Sequence, residues 1–220
     1  MVKYCLLFII TLYSACICAY SKIGFTGGVS INGVTGDVIA QNYFNVNGDS
    51  YHLQFTDILG GFDLGVRLDA GTKNIILSAE CSYRFSGSFY SVIDSIYSLN
   101  SLKDAVLGLT YLYTPVMIRL RSSTGSFIEA GGYFSTLINY DSYELANDGN
   151  YYLTEDYAVH SDLFNTVDYG WVTGLGIDKG IFSLGVRFSY SLNDFFTETY
   201  QEQTDFTTLY NIGLLATLKF

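Results

Sequence analysis

The sequence predicts an all-β chain, an eight-stranded antiparallel up-and-down transmembrane β-barrel. Three observations lead there. Apolar residues alternate with small or polar ones through most of the chain, the pattern of strands with one apolar face. Only 15% of residues are charged, low against about 25% in soluble domains. Even so, beyond the N-terminal segment no apolar run is long enough for a helical membrane span. Finally, connections alternate long and short, the asymmetry of bacterial outer-membrane barrels with their short periplasmic turns and long outer loops.

The clearest strand is Ile181–Tyr190. Phe182, Leu184, Val186, Phe188 and Tyr190 fall on one face, and Ser183, Gly185, Arg187 and Ser189 on the other. A solvent-facing strand would carry long hydrophilic side chains. Small residues and one arginine suit a crowded interior instead, which turns the apolar face toward lipid.

The same logic orders the rest. Ile23–Ile31 alternates Ile23, Phe25, Val29 and Ile31 with Gly24, Thr26, Gly28 and Ser30. A polar connection, Val34–Leu59, follows. Phe62–Ala70 sets Phe62, Leu64, Val66 and Leu68 against Asp63, Gly65, Arg67 and Asp69, and Gly71–Asn74 is a short turn. Ile75–Phe85 sets Ile75, Leu77, Ala79, Cys81, Tyr83 and Phe85 against Ser78, Glu80, Ser82 and Arg84. After the connection Gly87–Asp104, Val106–Leu120 places Leu112, Val116, Ile118 and Leu120 opposite Tyr111, Tyr113, Pro115, Met117 and Arg119. Arg121–Ser126 is a tight turn with Gly125 available for positive φ. Counting back from a three-residue loop 123–125 sets Arg119 opposite Glu129. Phe127–Tyr140 puts Ile128, Ala130, Phe134 and Ile138 against Glu129, Gly131, Tyr133, Ser135 and Asn139. The connection Asp141–Thr166 is acidic. Val167–Ile177 sets Tyr169, Trp171, Leu175 and Ile177 against Gly170, Gly174 and Gly176, and Lys179-Gly180 turns into Ile181–Tyr190. Ser191–Phe206 is the last connection. Thr207–Phe220 ends the chain with Tyr210, Ile212, Leu214, Leu218 and Phe220 on one face. That is the expected signal for the outer-membrane barrel assembly machinery. Aromatics at strand ends, among them Phe85, Phe89, Tyr90, Tyr140, Tyr169, Trp171, Tyr190, Tyr210 and Phe220, suit interfacial girdles.

Met1–Ala19 reads as a secretory signal, with Lys3, the apolar Leu6–Leu12 and then small residues. Residues 20–220 form the barrel domain. Tyr13-Ser14-Ala15-Cys16 is an imperfect lipoprotein site, so lipidation of Cys16 is the alternative to cleavage after Ala19. Cleavage after Ala19 leaves Cys81 alone, which rules out an internal disulfide. A net charge of −10 excludes the basic surface that nucleic acid demands.

Tyr111-Leu112-Tyr113-Thr114-Pro115-Val116-Met117-Ile118-Arg119 resembles the Y-L-E-I-P-L-L-L-K strand of the PorT-type outer-membrane β-barrel family of Bacteroidota. Gly125–Tyr133 is similar to that family's next strand, and the glycine-rich Asp168–Gly176 and the terminal strand also fit. Tyr113 stands where the family often has Glu, and Thr114 where it has an aliphatic residue. The resemblance runs from about Ile23 to Phe220. It implies fold and location, and leaves activity open because members carry different roles.

No catalytic constellation emerges. His52 and His160 fall in long connections, and His160-Ser161 are chain neighbours that point apart on an extended backbone. No Cys/His cluster has metal-ligand spacing, and no cofactor motif is present. Two features remain. The inward faces carry Asp63, Arg67, Glu80, Arg84, Arg119, Glu129 and Arg187, which must pair once removed from water. Three acids lie in 34–59, two in 87–104, six in 141–166 and four in 191–206, with Lys103 the sole basic residue there. The expected protein is a non-enzymatic integral barrel with a filled lumen, structural or presenting acidic outer loops to an extracellular ligand. The alternatives are a narrow porin-like channel and a lipid-modifying enzyme. Expected partners are outer-membrane lipid and the barrel assembly machinery.

Overall fold

The computed structural model describes residues 20–35, 43–46, 49–94, 101–145, 151–153, 164–194 and 208–220. The expected signal segment 1–19 with Cys16, the residue His160 and the side chain of His52 lie outside the described residues. Among the described residues ten strands are formed: β1 Tyr20–Thr35, β2 Tyr43–Val46, β3 Asp49–Gly71, β4 Ile75–Asp94, β5 Ser101–Arg121, β6 Ser126–Leu145, β7 Tyr151–Leu153, β8 Val167–Asp178, β9 Phe182–Ser191 and β10 Thr208–Lys219. Eight of them make the wall, each antiparallel to its neighbours. β1 pairs with both β3 and β10, so the sheet closes on itself. β2 and β7 are short strands hydrogen-bonded to β3 and β6 far from the short turns.

Following the register around the wall shows how far the strands tilt. From Ile23 it passes through Leu68, Ala79, Val116, Gly132, Trp171, Tyr190 and Tyr210 and returns to β1 at Gly33, ten residues beyond its start. Closure with such a stagger requires strands inclined to the barrel axis. For eight strands the interior is then just wide enough for side chains to fill.

Large apolar side chains cover the outside. Ile23, Phe25, Val29, Leu64, Ile118, Ile128, Leu175 and Leu214 are all exposed, and so is Cys81. A belt of this extent calls for a lipid phase to cover it. No described helix is long and apolar enough to cross a membrane. The inside is largely polar and includes a small apolar cluster of Tyr113, Met117, Tyr133 and Val172. On the exterior, seven to ten residues above the short turns, Trp171 stacks on Tyr190 with ring centroids 5.9 Å apart, and Phe62 on Phe85 at 5.6 Å.

The strands run further than the sequence implies. Residues 49–59, 88–94, 101–104 and 141–145, assigned to long connections, continue the ladders of β3, β4, β5 and β6. The reason is physical. A ladder that rises beyond the apolar belt has no face that must be apolar, so it loses the alternation by which a strand is recognised. Register shifts mark the changeover, between Ile58 and Phe62 on β3 and between Thr110 and Tyr111 on β5.

At the opposite end the turns bond to one another. Arg121 N donates to Asn74 O at 2.8 Å, Asp178 N to Gly125 O at 2.7 Å, Lys219 N to Ile181 O at 2.7 Å and Phe220 N to Ile23 O at 2.7 Å. Gly125, at φ 95°, permits the three-residue loop that sets Ser122 against Ser126. Residues with a Cβ rarely adopt that conformation.

Phe220 closes the seam between β10 and β1 through this amide and through its ring, which meets Phe25 edge-on at 6.1 Å. Deleting Phe220 is expected to lower the yield of folded, heat-modifiable barrel in the membrane while leaving synthesis unchanged. Unchanged yield and gel migration would contradict this.

Candidate functional site

Charge inside the barrel is stacked in three tiers. In the tier nearest the long connections, Asp63 on β3 and Arg84 on β4 are register partners. Arg84 Nε donates to Asp63 Oδ1 at 2.6 Å, Nη1 reaches Ser189 Oγ at 3.3 Å, and the guanidinium lies over the Tyr113 ring at 3.5 Å.

The middle tier is built from two more register pairs, Arg67 with Glu80 and Arg119 with Glu129. Glu129 is the hub. Its Oε2 accepts from Arg67 Nη2 at 3.1 Å and from Arg119 Nε and Nη2 at 3.0 and 2.9 Å. Its Oε1 accepts from Arg187 Nε and Nη2 at 3.2 and 3.1 Å. Arg187 also donates to both oxygens of Glu80, at 3.3 and 3.2 Å, and so ties the two glutamates together. A glycine makes this possible. Gly174 on β8 lies between Glu129 on β6 and Arg187 on β9 at the same level. A Cβ there would come within 3.2 Å of Glu129 Cγ and Oε1.

In the tier nearest the short turns, Asp69 Oδ1 accepts from Arg67 Nε and Ser78 Oγ, each at 2.7 Å. Lys219 Nζ bridges Asp69 Oδ2 at 3.1 Å and Asp178 Oδ2 at 2.6 Å. Arg119 Nη1 adds a contact to Asp178 at 3.4 Å while its guanidinium covers the Phe127 ring at 3.7 Å.

The count of charges decides what such an interior does. Among the described residues, and apart from Asp194 beyond β9, the buried charged residues are Arg67, Arg84, Arg119, Arg187 and Lys219 against Asp63, Asp69, Glu80, Glu129 and Asp178. Five cations meet five anions, so the set is neutral without counterions. Glu129 is 5% exposed, Arg119 1% and Asp178 0%. Every head group is engaged by its neighbours, which leaves none free to act as an acid, base or ligand.

Beyond Arg84 a cavity of about 30 Å³ is lined by Asn32, Tyr111, Tyr113, Tyr133, Asp168 and Tyr210, among others. That is room for water and little more. Asp168 accepts from Tyr133 OH at 2.9 Å and Ser191 Oγ at 2.5 Å, and Asn211 Nδ2 donates to Asn32 Oδ1. Among the described residues no cluster of His, Cys, Asp and Glu is arranged to hold a metal ion.

All seven charges named from the sequence, Asp63, Arg67, Glu80, Arg84, Arg119, Glu129 and Arg187, meet in the lumen. Three further members, Asp69, Asp178 and Lys219, were not assigned to the network from sequence. Parity was the available signal, since Asp178 continues Gly170, Gly174 and Gly176, and Lys219 continues Gly213, Leu215 and Thr217. Of the terminal set, Ile212, Leu214, Leu218 and Phe220 face outward, and Tyr210 is half-buried.

Residues 14–197 match the family model described as outer membrane protein beta-barrel domain. Among solved structures, Ail, the attachment invasion locus protein of Yersinia pestis, in complex with the heparin analogue sucrose octasulfate, is 12% identical, with 91% of this chain and 99% of that chain covered and a TM-score of 0.44. Neisserial surface protein A is 8% identical over 91% and 99% of the two chains, with a TM-score of 0.48. The translocator domain of the autotransporter NalP from Neisseria meningitidis is 10% identical over 100% and 96%, with a TM-score of 0.28. No curated protein matches the chain.

Glu129→Gln removes the negative charge shared by three arginines, whereas Arg119→Gln removes one of the three cations around it. Breaking a buried pair on one side costs about 3–5 kcal/mol. We expect Glu129→Gln to fall in that range in denaturant unfolding, Arg119→Gln to cost less, and the double variant to lose less than the sum. Strict additivity would show that the two side chains do not interact.

Proposed function

We propose, on the premise that the chain belongs to the outer membrane protein beta-barrel domain family, that it is a non-conducting, non-enzymatic barrel whose work is done by its long outer connections. The protein is an eight-stranded antiparallel barrel of the outer membrane. The observation that carries the proposal is the neutral, mutually bonded set of ten charges across the lumen. A channel for ions or polar solutes needs a continuous path along which water can move. Here ion-paired side chains occupy the middle of the lumen, and the cavity beyond Arg84 has room for about 30 Å³. An enzyme of the envelope would need a nucleophile beside a base; the lumen's ion-paired carboxylates are tied to arginine or lysine, and Asp168 is held by the hydroxyls of Tyr133 and Ser191.

Within the family we read the chain as PorT-type, on the Tyr111–Arg119 strand and its sequel, and residues 1–19 as its secretory signal. The short turns face the periplasm, as in other barrels of this membrane. The long connections, where most of the acids lie, then face outward, where a basic or cation-bridged extracellular ligand is their natural complement. Outer-membrane lipid surrounds the apolar belt. The terminal strand with Tyr210, Ile212, Leu214, Leu218 and Phe220 is the segment offered to the assembly machinery.

In planar bilayers the purified barrel is expected to show no steady conductance. A steady current comparable to that of a general porin would replace this reading with the narrow-channel one. On intact cells an epitope inserted near Asp148 should be labelled and one at Thr72 should not. Labelling at Thr72 alone would reverse the orientation.

A further inference from the structure

Charge is distributed unequally between the barrel's ends, and at the short-turn end the inequality is built into side-chain direction. Cations gather at that rim. Lys73 lies in the turn between β3 and β4, Lys179 in the turn between β8 and β9, and Arg121 ends β5 beside the third turn. Lys22, on β1, reaches the β8–β9 turn, donating from Nζ to Gly180 O at 2.9 Å. The rim's two acids point the other way. Asp69 and Asp178 are 2% and 0% exposed, bound inward to Arg67, Arg119 and Lys219. Among the described residues no exposed Asp or Glu remains there, so the charged side chains that the rim presents are cationic.

Each of these cations also adjoins a side chain of the lipid-facing belt. Ile75 lies two residues from Lys73, Ile177 and Ile181 two on either side of Lys179, Leu120 beside Arg121 and Ile23 beside Lys22, and all five apolar residues are exposed. A cation meant for bulk water or for a soluble partner has no need of such a neighbour. A lysine rooted at the edge of an apolar belt extends along the surface and leaves its ammonium at headgroup depth. Lys73 and Lys179 are exposed and able to do this, the Lys179 ammonium from a position where it also donates to Thr124 O at 3.3 Å. Arg121 is partly committed to Asp178, at 3.8 Å.

We propose that this rim is a binding site for anionic phospholipid headgroups of the leaflet bordering the short turns, with Lys73 and Lys179 as its principal contacts. The phosphodiester charge takes the place at the surface that Asp69 and Asp178 vacate by turning into the lumen. The site selects for net negative charge, because zwitterionic headgroups bring their own ammonium. It rests on the same membrane embedding as the proposed function, but not on which face of the membrane the turns occupy.

The experiment uses the full chain refolded in detergent and exposed to an equimolar mixture of phosphatidylglycerol and phosphatidylcholine, with retained lipids counted by native mass spectrometry. The wild type is expected to retain phosphatidylglycerol preferentially. Lys73→Gln with Lys179→Gln should lower the retained ratio by about fivefold per cation removed, with unchanged heat-modifiable migration, since both side chains are exposed and outside the lumen network. Lys103→Gln, at the other end of the barrel, should leave the ratio unchanged. Equal retention of the two lipids by the wild type would overturn the site, as would a ratio unaffected by the double substitution. Abolition of the preference by inorganic phosphate at the lipid's concentration would also overturn it, by reassigning the contacts to a free anion. Sidedness does not enter this measurement, so a reversed orientation on cells and a failed lipid preference are separate results.

Discussion

A charge withdrawn from water has to be compensated where it stands, and most of this barrel's interior follows from that requirement. Glu129 satisfies three arginines at once, and Arg187 joins it to Glu80. Guanidinium groups are broad and flat, so holding three around one carboxylate needs space at the centre of the barrel. The wall provides it with small inward residues, of which Gly174 is the clearest, standing between Glu129 and Arg187 with no side chain of its own. Gly176 and Gly185, at the next level, leave the same kind of room for the Phe127 ring. The inner faces of Tyr113 and Phe127 serve the same end, receiving the flat sides of Arg84 and Arg119.

One alternation serves two solvents. The outer set of each strand meets hydrocarbon and the inner set meets other protein charges, so a slip of one residue would exchange them. Turn geometry prevents that slip. Gly125 at positive φ fixes the loop length between β5 and β6, and that length in turn sets Arg119 opposite Glu129. Local backbone chemistry at the rim therefore decides an ion pair several residues up the wall. The hydrogen bonds from turn to turn hold neighbouring hairpins at the stagger which brings β3, β6 and β9 to bear on the same central point.

How much of this could be read from the chain depended on distance. Strand faces, the three tight turns and the Arg119–Glu129 register are properties of neighbouring residues, and alternation and turn signals report them directly. The long ladders of β3 to β6 were harder to see because polar strands above the belt leave no periodic trace. Arg187 reaching Glu129, or Lys219 reaching Asp178, joins strands far apart in sequence, and such pairs depend on a closed wall with a fixed stagger. Asp178 and Lys219 each sit at a strand's last turn-side position. Charge at such a position reads as rim polarity, and only their parity marks them as interior.

Lys219 has a consequence for the order in which the molecule completes itself. It belongs to the final strand, yet it is the cation that holds Asp69 and Asp178 together. Without β10 the remaining lumen groups are four cations facing five anions, and Asp69 on β3 and Asp178 on β8 lack the cation that joins them. The last strand therefore delivers the missing positive charge at the moment its hydrogen bonds close the wall. An open sheet is penalised twice, by its unpaired edges and by an uncompensated interior, and both penalties vanish in the same event. Electrical neutrality thus acts as a proof of completeness, met only by a sheet that has acquired its full complement of strands.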